Sequence, residues 1–318
     1  MSLKRGVRHV RQLWPGLGLW LPVPFVAWAV ACFVQGERRW ELLLFAIGMP
    51  LLAYANARTK RLFTGIFPMA LLALIYDAMR FVRNAGITPE RVHVCDLRAL
   101  DMQVASVYLN GARTSVHDYF QAHATKALDL LCAVPYGVFL YVTVAFAVVL
   151  YVRDYAALQR FAWTFFFLNI AGFVTYHIYP AAPPWYYHLH GCTVDLASRA
   201  SEGPNLARVD RWLGVSYFAG FYGRSNDVFG AVPSLHVGYP LMIAIYAWPR
   251  TRGIGRMLAL GFFASMCFAA IYLDHHWIVD VILGVVYTLI VEMCVRAWAM
   301  RSPSSETEDT LVRAASDS

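Results

Sequence analysis

Eight apolar runs, at 17–35, 41–57, 64–82, 128–151, 160–180, 234–249, 256–274 and 276–298, set the terms for this chain of 318 residues. A helix needs about 20 apolar residues to cross the hydrocarbon of a bilayer, and most of the runs approach that length. A backbone in lipid must satisfy its own hydrogen bonds, so helices are the economical way to build them. The alternating pattern of a membrane β-barrel is absent. Composition agrees, with 59% hydrophobic residues, 15% charged residues and a mean hydropathy of +0.48. The sequence therefore predicts an all-α polytopic membrane helical bundle of about eight transmembrane helices. It forms a single domain over 17–298, after a basic lead-in at 1–16. A Ser/Glu/Asp-rich tail at 299–318 lacks periodicity and reads as disordered. The first run is long and has no small-residue cleavage site, so it reads as a retained helix. No internal repeat appears.

A net charge of +7 raises the question of nucleic acid, but its placement answers differently. If the runs alternate sides, five basic segments share one side. They are the N-terminus (Lys4, Arg5, Arg8, Arg11), the 57–63 loop (Arg58, Lys60, Arg61), the 152–160 loop (Arg153, Arg160), the 250–256 turn (Arg250, Arg252, Arg256) and the C-terminal end (Arg296, Arg301, Arg313). These loops are short, so the positive-inside rule makes that side cytoplasmic, with both termini on it. The long loops 83–127 and 181–233 face the other way. The basic balance reads as topology and contact with anionic lipid, with no nucleic-acid partner. Cys32, Cys132, Cys267 and Cys294 fall in the runs as small core residues. Cys95 and Cys192 fall in the two long loops, where a disulfide is open but no distance is fixed. No zinc-type spacing or carboxylate cluster appears, so neither metal nor cofactor is expected.

Along the chain, Asp77 and Arg80 are three apart at the end of the third run, on one helix face, and ionisable groups at membrane depth mark a site by default. In the 83–127 loop, Leu97, Leu100, Val104, Val107 and Tyr108 suggest an amphipathic segment on the interface, and His117, Asp118 and His123 read as solvated loop residues. Pro135 is expected to kink the fourth run. The fifth run ends in Pro180-Ala181-Ala182-Pro183-Pro184-Trp185-Tyr186, a stiff exit fit to wall a pocket at the membrane surface. The polar stretch 187–225, with His188 and His190 near Cys192, reads as a lid-like loop.

The chemistry concentrates between Asn226 and Asp280. His276 and Asp280 are four apart, so on a helix the carboxylate can accept the imidazole N–H and fix its tautomer. His275 is turned about 100° away and is read as auxiliary. His236 follows Pro233 and Ser234 at a helix start, where free backbone N–H groups and the dipole suit a phosphate. Two histidines flanking a phosphate can serve as nucleophile and general acid. Under the alternation above, Pro180–Trp185, His236, His276, Asp280 and Arg80 all meet the non-cytoplasmic face.

These residues carry a resemblance. Pro233-Ser234-Leu235-His236 resembles the second motif of the type 2 phosphatidic acid phosphatase (PAP2) superfamily, and His276 with Asp280 resembles the end of its third motif. Phe229 to His236, His275 to Asp280, and Ala182-Pro183-Pro184-Trp185-Tyr186 are similar to the Aur1-like branch, the inositol phosphorylceramide synthases and inositolphosphotransferases. The resemblance covers about 176–290, and the N-terminal half only by hydropathy. It implies a PAP2-like core and a phosphotransferase that moves a phosphoryl head group from a membrane phospholipid to a lipid or other hydroxyl. It further implies that His276 is the nucleophile, that Asp280 orients it, and that His236 protonates the leaving group. The phosphatases' first-motif Lys and Arg have no counterpart before Pro183, and their Ser-Arg pair is replaced by Ala269 and Ala270. Arg80 and Arg224 are the candidate replacements. Ser234, Asn226, His275, Asp77 and Trp185 complete the expected substrate- and phosphate-binding set. Losing cations disfavours a phosphomonoesterase, whose dianionic substrate needs more positive charge. The competing readings are a lipid phosphatase with water as acceptor and, more remotely, a proton-coupled transporter.

Overall fold

The computed structural model describes residues 2–82, 85–200, 204–223 and 228–301. In chain order the helices are α1 (Ser2–Leu13), α2 (Val23–Val34), α3 (Trp40–Leu43), α4 (Met49–Tyr54), α5 (Ala57–Met79), α6 (Cys95–Val104) and α7 (Val116–Ala122). They continue with α8 (Lys126–Arg153), α9 (Tyr155–Ile178), α10 (Pro184–His190), α11 (Pro204–Leu213), α12 (Tyr217–Tyr222), α13 (Leu235–Ala247), α14 (Ile254–Tyr272) and α15 (Ile278–Arg301). A hairpin of β1 (Ser106–Leu109) and β2 (Ala112–Ser115) lies between α6 and α7.

All eight apolar runs are helical. Six helices among the described residues are long and apolar enough to cross a membrane: Leu17–Val34, Ala57–Met79, Lys126–Arg153, Tyr155–Ile178, Ile254–Tyr272 and Ile278–Arg301. The other two runs form the shorter apolar helices Trp40–Tyr54, interrupted by a π turn at Leu44–Gly48, and Leu235–Ala247. Much of the spanning surface stays apolar and uncovered, as at Leu131, Val148, Met257 and Leu258, which suits lipid as solvent. The chain is an integral membrane protein built as a helical bundle.

Polar side chains close the helix starts, where four N–H groups lack partners in the helix. Asn56 accepts from the N–H groups of Arg58 and Thr59, Asp154 from Ala157, and Ser115 from Asp118 in a reciprocal capping box. The basic lead-in is helix α1 up to Leu13, and α8 runs through Pro135 to Arg153. The chain from 302 onward, expected to be a disordered tail, lies outside the described residues.

Two loop expectations are corrected. Val107 and Tyr108 belong to β1 and not to an amphipathic helix, because Asn110 and Gly111 both take positive φ (51° and 81°) and turn the chain back. The 187–225 stretch carries α11 and α12, not a loop; in α11, Leu206 and Val209 are buried at helical spacing.

The chain divides into two compact units. Of the described residues, one comprises 2–78, 149–166 and 297–301. Its core is Trp14, Phe25, Met49, Ala53 and Phe63, with the Trp14 indole N–H donating to the Ala53 carbonyl at 2.8 Å. The other comprises 79–148 and 167–296 and holds the histidine cluster described next. In it, three extended segments are laced together: Ala181 bridges His93 on one side and Gly230 on the other. Leu97, Ala181, Ala231, Val232 and Trp277 are buried together as one apolar cluster of this unit. The disulfide Cys95–Cys192, with a Cα–Cα distance of 5.6 Å, ties the start of α6 to the segment after α10.

Candidate active site

Helix α14 ends in a tight turn. The N–H groups of His275 and His276 both reach the Ala270 carbonyl at 3.1 Å, and Asp274 takes φ +67°, a left-handed conformation that Asp tolerates better than most residues. The Asp274 carbonyl accepts from the Trp185 N–H at 2.9 Å. Both histidines therefore precede α15. The expectation that they lie on that helix, with His275 turned away, is corrected: His275 and His236 have ring centroids 6.4 Å apart, in one cluster.

Opposite this turn, Ser234 caps α13, with its hydroxyl accepting from the Val237 N–H, and presents His236 in the first turn. The start of α13 is locked to α15: the Ser234 N–H donates to the Asp280 carbonyl at 3.0 Å. A Cβ at Gly284 would collide with the Ser234 carbonyl oxygen, so only glycine permits this approach.

Hydrogen-bond partners fix the tautomers. His276 Nδ1 lies 3.0 Å from the Ala231 carbonyl, which only accepts, so Nδ1 carries the proton and Nε2 presents a lone pair. His236 Nδ1 sits 3.0 Å from that Nε2 and must be its donor. His236 Nε2 is then an acceptor, and the Tyr222 hydroxyl is 3.4 Å away. Asp280 does not bond the ring as expected. Its Oδ2 is 3.7 Å from His276 Nδ1, beyond hydrogen-bond range, and instead accepts from the Trp277 N–H at 2.8 Å, capping α15. The carboxylate remains close enough to stabilise positive charge that develops on the ring during reaction.

Behind the turn lies a polar network that sequence reasoning missed. The Asp274 carboxylate bonds His188 and lies 3.2 Å from His117 Nδ1, while the other nitrogen of His188 meets Asp118 at 2.9 Å. Asp118 also accepts from Arg98 at 2.7 Å and from the Thr114 hydroxyl. Burial pushes the Asp118 carboxyl up, but bonds from His188, Thr114, Ser115 and Arg98 outweigh it and hold the group well below the usual range. Burial likewise lowers His188, and its two carboxylates more than compensate, raising it to about 9. His117 is fully buried, edge-on to Trp277, which corrects its reading as a solvated residue.

The remaining expected residues are placed as follows. Trp185 is buried with Tyr186 and Phe229. Asp77, in the other unit, takes Arg39 through two bonds of 2.9 and 2.8 Å and the Trp28 indole at 2.9 Å. Arg80 lies over the Phe81 ring at 4.8 Å. Arg224 and Asn226 lie outside the described residues. Sequence reasoning also passed over Tyr136 and Tyr222, whose rings pack against His236. A tyrosine midway along an apolar run was the available signal for the first.

The family described as the PAP2 superfamily matches residues 105–293, which include Tyr136, Tyr222, His236, His276 and Asp280. The phosphoinositol dihydroceramide synthase of Bacteroides thetaiotaomicron is 33% identical over 266 residues, covering 82% of this chain and 84% of that protein. The inositol phosphorylceramide synthase catalytic subunit of Schizosaccharomyces pombe is 29% identical over 273 residues, 84% of this chain and 59% of that protein. The inositol phosphorylceramide synthase of Candida albicans is 33% identical over 172 residues, 52% of this chain and 36% of that protein. No solved structure matches the chain. With the family matched across more than half of its length, and a relative aligned over most of both sequences, this chain belongs to the PAP2 superfamily.

Proposed function

We propose that this protein is a membrane phosphotransferase of the inositol phosphorylceramide synthase type. It moves an inositol-phosphate head group from a phospholipid to a lipid hydroxyl, through His276, His236 and Asp280. The observation that carries this reading is the chain Ala231 carbonyl, His276, His236, Tyr222, which leaves one unprotonated nitrogen on each imidazole in sequence. In the first half-reaction the phosphorus enters between the two rings, which part to admit it. His276 Nε2 forms the N–P bond, the P–O bond to diacylglycerol breaks, and a protonated His236 gives its proton to the departing alkoxide. In the second, neutral His236 takes the proton of the acceptor hydroxyl, the new P–O bond forms, and the N–P bond breaks to restore His276. Asp280 at 3.7 Å and the Ala231 carbonyl stabilise the charge that develops on His276. The names of the aligned relatives support phosphoinositol as the transferred group, and a ceramide-like lipid as acceptor.

The reaction is assigned to the non-cytoplasmic face, with both termini cytoplasmic. Two independent features support this. The basic loops follow the positive-inside rule. The Cys95–Cys192 disulfide belongs in an oxidising compartment, and the segment just ahead of Cys95 is laced through Ala181 and Gly230 to the Ala231 carbonyl that holds His276.

Purified protein incubated with labelled phosphatidylinositol and ceramide should yield labelled phosphoinositol-ceramide. His276→Ala should reduce that yield by about 10³-fold or more while the protein still folds. Transfer retained by His276→Ala would exclude the assignment, and release of the label to water alone would make the protein a phosphatase.

A further inference from the structure

The phosphatases of this superfamily clamp phosphate with cations, and the corresponding motif positions here hold none. Among the described residues, neutral polar rings pack against His236 and His275. Tyr136 lies with its ring 4.9 Å from both His236 and His275. Tyr222 is 5.2 Å from His275, and its hydroxyl reaches His236. α12, which carries Tyr222, is fixed at its start by Asp210, whose carboxylate accepts from the N–H groups of Phe218 and Ala219. A narrow cleft walled by Leu206, Ala207, Phe218 and Ala219 opens on Tyr222 and His275.

Among the described residues, two polar atoms in this cluster find no hydrogen-bond partner. They are the hydroxyl of Tyr136, a residue 1% exposed, and Nε2 of His275, 8% exposed. Other buried tyrosines in the same unit are satisfied: Tyr272 by Asp129, Tyr239 by Asn169, Tyr246 by Glu292 and Tyr176 by the Pro233 carbonyl. A buried hydroxyl left unpaired burdens the fold, and phenylalanine would fill the same space without that penalty. Burial, with His276 alongside, pushes the His275 imidazole down to about 3, so it remains neutral at working pH.

We infer that Tyr136, Tyr222 and His275 form a phosphate-binding cradle of neutral donors suited to a singly charged phosphodiester. The Tyr136 hydroxyl and His275 Nε2 donate to the non-bridging oxygens. The Tyr222 hydroxyl turns from His236 to the phosphate when the imidazoles part. Neutral donors satisfy one negative charge in a buried site, but leave the second charge of a monoester uncompensated. The inference rests on the phosphotransfer reading for its substrate, on the orphaned atoms for Tyr136 and His275, and on its contact with His236 for Tyr222.

The test measures donor KM, kcat and thermal unfolding of full-length protein carrying Tyr136→Phe, Tyr222→Phe or His275→Gln. Tyr136→Phe should lower kcat/KM for phosphatidylinositol about 10-fold or more, the worth of one hydrogen bond to a charged group. Its melting temperature should hold or rise. A kcat/KM within about twofold of the parent, or a clear drop in melting temperature, would overturn the cradle, since the latter marks a structural hydroxyl. Dimethyl phosphate, a phosphodiester monoanion, provides a readout that needs no turnover. Titrated against histidine NMR signals, it should bind the parent more tightly than Tyr136→Phe, and more tightly than inorganic phosphate binds. Should transfer fail while this difference persists, only the substrate assignment falls. Equal binding to parent and variant removes the cradle whatever the substrate.

Discussion

Asp274 joins the catalytic turn to the charges behind it. Its left-handed backbone places His275 and His276, and its carboxylate is held by His117 and His188. Burial lowers His188, but bonds to Asp118 and Asp274 outweigh that effect and raise it from 6.5 to about 9. A folded-state value above the unfolded one means that its stabilisation is complete below pH 6.5, declines above it, and is gone once pH passes about 9. Each tenfold gain in proton affinity is worth about 1.36 kcal/mol, so the contribution is about 3 kcal/mol at most. The melting temperature of purified protein should therefore fall as pH rises from 6.5 to beyond about 9, and His188→Gln should start lower and show a shallower fall. Parallel curves for the two proteins would show that His188 is not the titrating group. Nothing in the local sequence announced this network. His117 looks like a loop histidine, and its burial comes with Asp101 and Asp274, partners supplied by other segments. The same holds for the Ala231 carbonyl: spacing pointed to Asp280 as the partner of His276, whereas a backbone oxygen took that position.

Helices α13 and α15 meet at Gly284, where the Ser234 carbonyl occupies the space a side chain would need. That approach sets the distance between His236, on α13, and His276, just ahead of α15. Gly284→Ala should force the two apart, at a cost of about 1–3 kcal/mol for overpacking, and lower kcat by about 10-fold or more through misplacement alone. Kinetics and thermal unfolding of the variant check this; unchanged kcat with lowered stability would mean the imidazole pair tolerates the displacement. At this scale the long apolar helices were readable because lipid imposes one length and one polarity on them. The shorter polar elements were not. The Asn110-Gly111 turn is a strong hairpin signal that hydrophobic periodicity overshadowed. In α11, charged residues at Arg208, Asp210 and Arg211 masked a buried face, and Arg208 itself is satisfied by a bidentate bond to Asp129 at 2.9 and 3.0 Å.

For the molecule as a whole, side preference follows from charge, and chemistry from which side the loops reach. On the proposed topology, basic residues gather in the cytoplasmic loops, and the disulfide and the segments that hold His276 fall in the opposite set. A protein so arranged would draw its lipid donor and acceptor from the leaflet away from the cytoplasm. Single cysteines can test this in a background with Cys267 and Cys294 changed to serine, since Cys95 and Cys192 are already paired. Ala112→Cys, exposed on the hairpin, should react with a membrane-impermeant thiol reagent in intact cells. Arg252→Cys, exposed in the turn between α13 and α14, should react only after the membrane is opened. Reaction at both positions in intact cells would break the alternation, and the reverse pattern would put the histidine pair on the cytoplasmic side, where the disulfide would face a reducing pool.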